Sequence, residues 1–122
     1  MRSQLHQCGE RKGRVSEEAR QIARAAAIVA RLFGLRAGDL TRAARREPAV
    51  VRRARHLAIY LIHVGAGIAA SRTAAAFMRD RATVAYACQR IEAERDDPAF
   101  DHVVVLLEGL MTDGRASRGD LS

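Results

Sequence analysis

The chain has 122 residues, enough for one hydrophobic core, and its 48% apolar content is that of a globular fold. Lys and Arg number 21 against 14 Asp and Glu, a formal charge of +7 that favours a polyanionic partner, nucleic acid before an anionic membrane surface. A disulfide framework is excluded because Cys8 and Cys88 lie far apart, and a membrane span because the longest apolar run, Leu57 to Ala70, is short and interrupted by His63.

No apolar stretch follows Met1-Arg2, so no secretory signal is expected, and the cysteine usage fits a reducing compartment. A cytoplasmic protein is the expectation. Every cation except Lys12 is Arg. Guanidinium forks suit phosphates and guanine edges, but codon bias in a GC-rich genome produces the same ratio and the same wealth of Ala. The net charge is the firmer signal.

Residues 1–15 are polar and basic without periodicity and read as a flexible arm. Ser16 followed by Glu17 and Glu18 has the form of a helix start, and Ile22, Ala25, Ala26, Val29, Leu32 and Phe33 recur at helical spacing up to Gly34. A short helix is expected over Gly38–Ala44 with Leu40 inward. After the connector Arg45-Arg46-Glu47-Pro48, a helix from Ala49 to about Val64 has the core stripe Ala54, Leu57, Ala58, Leu61 and Val64. Its first half carries Arg52, Arg53, Arg55 and His56, and Gly65-Ala66-Gly67 ends it.

Two short helices, near Ala70–Phe77 and Arg81–Glu94, flank the tight Met78-Arg79-Asp80. Val84, Ala87, Cys88 and Ile91 share one face of the second. Asp96-Asp97-Pro98 breaks the chain before a last amphipathic helix with Phe100, Val103, Val104, Leu107 and Leu110; residues 112–122 read as a flexible tail. The expected fold is all-α, about six helices, with residues 16–111 as the domain.

Two short helices joined by a tight turn, the second apolar behind and polar at its leading end, form the outline of a helix-turn-helix. Such a helix enters the major groove with its first turn free. The leading residues here are Arg79, Asp80, Arg81, Ala82 and Thr83.

The run Arg79-Asp80-Arg81-Ala82-Thr83-Val84-Ala85-Tyr86-Ala87-Cys88-Gln89-Arg90-Ile91-Glu92 resembles the signature of the C-terminal DNA-binding domain of the bacterial replication initiator DnaA. That family reads Arg-Asp-His-Thr-Thr-Val-x-x-Ala-Cys-x-Lys/Arg-Ile-Glu. Upstream, Arg53-x-Arg55-His56-Leu57-Ala58-Ile59-Tyr60-Leu61 is similar to the family's Arg-Pro-Arg-Gln-x-Ala-Met-x-Leu helix, and Ala76-Phe77 falls where the family has Ala-Phe before its turn. A weaker likeness extends from about Ile28, through Gly38-Asp39-Leu40, to Leu110.

The resemblance implies that Asp80, Arg81, Ala82 and Thr83 face base edges with Arg79 beside them, and that Arg55 and His56 lie on phosphate. It also implies that Arg45 and Arg46 approach the minor groove. Arg53, Ser71 and Arg90 complete the candidate DNA-binding set. Three departures fall on this surface. The family's His-Thr is Arg81-Ala82, one Gly of its Gly-Gly turn is missing before Arg79, and its Pro at the first short helix is Ser71. The same DNA box is therefore not expected to be read with the same fidelity.

No Gly-x-x-x-x-Gly-Lys-Ser/Thr loop occurs in the sequence, so neither a nucleotide nor ATPase activity is expected. His6, His56, His63 and His102 show no metal spacing, so no metal or other cofactor is expected; Cys88 reads as a small packed hydrophobe. Asp80 and Glu92 are too far apart on one helix for acid–base work, and no enzyme is expected. The expected function is sequence-specific recognition of double-stranded DNA by a bacterial transcription regulator, such as the activators of gene transfer agents. The alternatives are competition with the initiator at its boxes, or a protein-interaction module that docks RNA polymerase or a sigma-like partner through the last helix.

Overall fold

The computed structural model describes the backbone of residues 2–42 and 46–121, and the side chains of residues 16–42 and 46–112. Among the described residues there are six α-helices and no strand: α1 (Arg2–Leu32), α2 (Ala37–Thr41), α3 (Ala49–Tyr60), α4 (Ala70–Ala76), α5 (Arg81–Glu94) and α6 (Pro98–Leu121). A π turn, Leu61–Gly65, prolongs α3.

α1 buries Ala25, Ala26, Val29 and Ala30, small residues that let helices approach closely. It ends as the sequence predicts. Gly34 takes φ 70, and Leu35 N–H donates to Ala30 O at 2.7 Å, closing the last turn in a Schellman bond. α3 is the central element and buries Ala54, Leu57, Ala58, Ile59 and Tyr60. Around it pack Leu40 of α2, Phe77 at the end of α4, Val84, Ala87 and Ile91 of α5, and Val104, Leu107 and Met111 of α6.

Several expectations need correction. α1 begins at Arg2, so Ser16 is an exposed mid-helix residue and caps nothing. Residues 2–15 contain no Pro, and Gln, Leu, Glu, Lys and Arg there favour the helix while Gly9 and Gly13 oppose it. α6 likewise runs to Leu121, past the expected end near 111. α2 is shorter than expected and stops at Thr41. The π turn, where Ala66 N–H donates to Leu61 O at 2.9 Å, rotates the chain so that Val64 is exposed and leaves the core stripe. In α6 Leu110 is exposed and Met111 takes the buried place.

Polar bonds lock the frame. The Tyr60 hydroxyl donates to Glu92 Oε1 at 2.8 Å and accepts from Arg95 Nη1 at 2.9 Å, while Arg95 Nε donates to Asp101 Oδ1. These bonds join α3, α5 and α6. On the other side Glu18 of α1 pairs with Arg72 of α4 at 2.7 Å.

Candidate nucleic-acid interface

The site is built around α4, the turn and α5. α4 ends in the same type of bond as α1, with Arg79 N–H donating to Ala74 O at 2.9 Å, but the left-handed residue is Met78, at φ 56. Met78 occupies the place of the glycine missing from the sequence pattern. Asp80 then caps α5: its Oδ1 accepts from Thr83 N–H at 2.9 Å and from the Thr83 hydroxyl at 3.0 Å. Hydrogen bonds to the Thr83 backbone and hydroxyl hold the Asp80 carboxyl below its ordinary pKa, so it remains an anionic cap.

Val84, Ala87 and Ile91 are buried behind α5, and Cys88 is half-buried, its thiol pushed up by burial and by Glu92. The opposite face is open, with Arg81, Ala82, Ala85, Tyr86, Gln89 and Arg90 exposed. The leading turn is thus free, as groove entry requires.

A groove of about 390 Å³ runs between α3 and α5, lined by Arg52, Arg53, His56, Tyr86, Arg90 and Glu94 among others. His56 meets the Tyr86 ring edge-on, centroids 5.6 Å apart. Burial, then the fields of Arg55, Arg52 and Arg90, hold His56 below the ordinary imidazole pKa, with Glu94 opposing them. Three arginines, Arg52, Arg53 and Arg90, against the single acid Glu94 give the groove a net cationic lining suited to an anion.

The expected residues divide into groups. Arg53, His56 and Arg90 line this groove together. Asp80, Arg81 and Ala82 are exposed at the leading end of α5, where Thr83 is half-buried and bonded to Asp80. Arg79 is half-buried and donates to Phe77 O at 3.3 Å and Met78 O at 3.4 Å, capping the end of α4. Ser71 is exposed on α4, Arg46 is exposed beside Arg42 and Glu47, and Arg45 lies outside the described residues.

Arg55 is a correction. It is 3% exposed, and its guanidinium donates to Leu40 O at 2.7 Å and to both oxygens of Glu47, at 2.7 and 2.5 Å. With its fork filled and its surface covered, it has no face for a phosphate. Arg53 is partly engaged as well, 3.0 Å from Glu94 and over the Phe100 ring at 5.4 Å.

Among the polar and aromatic groove residues, Arg52, Tyr86 and Glu94 were not in the candidate DNA-binding set. One signal was available: Arg52 and His56 are four apart on α3, as Tyr86 and Arg90 are on α5, so each pair shares a helix face.

A family model described as the bacterial DnaA protein helix-turn-helix matches residues 22–91, more than half of the chain. The chain belongs to that family. Its DnaA-type domain is also similar to a solved crystal structure of a DNA replication initiation factor, with 27% sequence identity and a TM-score of 0.73. The likeness covers 86% of this chain and 32% of that one, so the chain spans about a third of the factor's length. No curated protein matches the chain. The DnaA-type helix-turn-helix is a DNA-binding, non-catalytic module. No described helix is long and apolar enough to cross a membrane.

Proposed function

We propose that this protein is a sequence-specific regulator of transcription that reads double-stranded DNA with the first turn of α5. The observation that carries this reading is the exposure of Arg81 and Ala82 on a leading turn fixed by the Asp80 cap and the left-handed Met78. Arg81 is the candidate base reader, because its guanidinium can bond bidentately to O6 and N7 of guanine. Arg46, Arg52 and Arg90, all exposed, are candidates for phosphate.

The test is selection from randomised duplexes with wild type and Arg81→Ala. Wild type should enrich one motif. Arg81→Ala should flatten a single column, at a cost of roughly 1–3 kcal/mol for that base, and leave the neighbouring columns intact. Failure of wild type to enrich any motif would overturn the reading.

One observation favours a second reading, the docking of a polymerase or sigma-like partner. An apolar groove of about 530 Å³ lies among Leu32, Phe33, Val50, Leu57, Phe100 and Val103, away from the leading turn of α5. Pull-down with RNA polymerase, with and without Leu32→Asp, tests it.

A further inference from the structure

The connection between α2 and α3 contains an acid, Glu47, directly after Arg46. On a surface that meets DNA an acid should be a liability. The structure gives it a different place: Arg55 reaches from α3 to the carbonyl of Leu40 in the last turn of α2, and to both carboxylate oxygens of Glu47 shortly before α3. Bidentate pairing of this kind fixes orientation as well as distance. Arg55 and Glu47 are largely covered, with 4% and 16% of their side chains exposed. Arg46 is exposed next to this anchor, in a recess with Asp39, Arg42, Pro48 and Val51. The Arg55 hydrogen bonds, joined by the fields of Arg55, Arg79 and Arg52, hold the Glu47 carboxyl below its ordinary pKa, so the pair stays ionised.

We propose that the Arg55–Glu47 pair is a positioning device that ties Glu47 to α3 and to the end of α2 and so sets the neighbouring Arg46 on the DNA backbone. This rests on the reading that α5 binds duplex DNA. Arg55 acts on DNA only through the connection, and Glu47 is an acid that DNA binding requires. Simple electrostatics predicts the opposite sign, since removing Glu47 makes the protein more cationic.

The experiment measures duplex affinity against salt for wild type, Glu47→Gln, Arg46→Ala and the double variant. Glu47→Gln raises the net charge by one, yet it should weaken binding several-fold and lower the log–log salt slope by about 0.9, the share of one phosphate contact. Arg46→Ala should do the same. In the double variant the losses should not add, because Arg46 is already displaced once its anchor is gone.

Glu47→Gln leaves Arg55 buried with a weaker partner and is expected to cost stability. A second variant therefore replaces the pair with apolar residues, Glu47→Leu with Arg55→Met. It keeps the net charge, leaves no orphan ion and is checked for folding by circular dichroism. This folded variant should show the same weakened binding and shallower slope. Unchanged or tighter binding by Glu47→Gln, an unchanged slope in the apolar pair, a silent Arg46→Ala, or additive losses would each overturn the proposal. The two readings fail separately. If wild type selects a motif that depends on Arg81 while these variants bind normally, only the positioning role is lost.

Discussion

Arg52, Arg53 and Arg55 stand almost side by side in sequence and have three different surroundings. Arg52 is open to solvent, Arg53 rests on Phe100 beside Glu94, and Arg55 is buried on Glu47 and Leu40. Sequence shows that three guanidinium groups are present; which is free depends on partners that only the fold supplies. His56, on the same helix, yields a pH prediction. The groups facing it are Arg52 and Arg55 on α3 and Tyr86, Arg90 and Glu94 on α5. Because its folded pKa lies below the ordinary 6.5, its neutral form contributes stability above that pH, and the contribution is lost as pH falls through the folded value. A phosphate in the groove would offset the arginine field and raise the pKa, so binding takes up a proton. Duplex affinity at fixed salt should therefore rise as pH falls from about 7.5 toward about 5.5. Fluorescence anisotropy of His56→Gln, which places the family's amide there, should give a flatter profile. Parallel profiles for the two proteins would remove phosphate from the groove.

At the scale of elements, local signals succeed where they are chemically specific. The start of α5 was legible because Asp80 is a true cap, and the end of α1 because Gly34 supplies the left-handed residue. The start of α1 was not, because Ser16-Glu17-Glu18 imitates a cap inside a continuous helix. The exposure of Val64 was hidden in a π turn, which leaves a 3.6-residue pattern without announcing itself in composition. The α4–α5 turn lies between these cases. The missing glycine was visible, but not that Met78 would adopt φ 56 in its place. A left-handed non-glycine residue costs about 1–2 kcal/mol, against about 0.5–1 kcal/mol of extra chain entropy lost by glycine. Met78 is 69% exposed and has little packing to lose. Met78→Gly should accordingly stabilise the domain by up to about 1 kcal/mol in urea melts. A destabilised variant would mean that the methionine side chain holds the turn.

The whole molecule separates its cations into those that hold the fold and those that remain open. Arg95 is tied to Tyr60 and Asp101, Arg72 to Glu18, Arg55 to Glu47, and Arg53 to Glu94. Arg46, Arg52, Arg81 and Arg90 are exposed around the helix-turn-helix and the α3–α5 groove. The net charge of +7 already counts those pairs as neutral, so DNA binding depends on where the open cations lie and not on the total. If all seven excess charges neutralised phosphates, log affinity would fall against log salt with a slope near −6, at about 0.9 per contact. About four phosphate contacts, from Arg46, Arg52, Arg90 and a protonated His56, give a slope of about −3.6 instead. A titration between about 50 and 200 mM salt resolves the difference, since four contacts correspond to a change in affinity of about 150-fold and a slope near −6 to one of about 4000-fold. Two substitutions of equal formal charge complete the test. Arg52→Ala should make the slope shallower by about 0.9, whereas Arg72→Ala, which removes a partner of Glu18, should leave it almost unchanged. Equal effects of the two would mean that DNA binding follows total charge and not the arrangement around α5, and a flat wild-type response would favour the protein-docking reading.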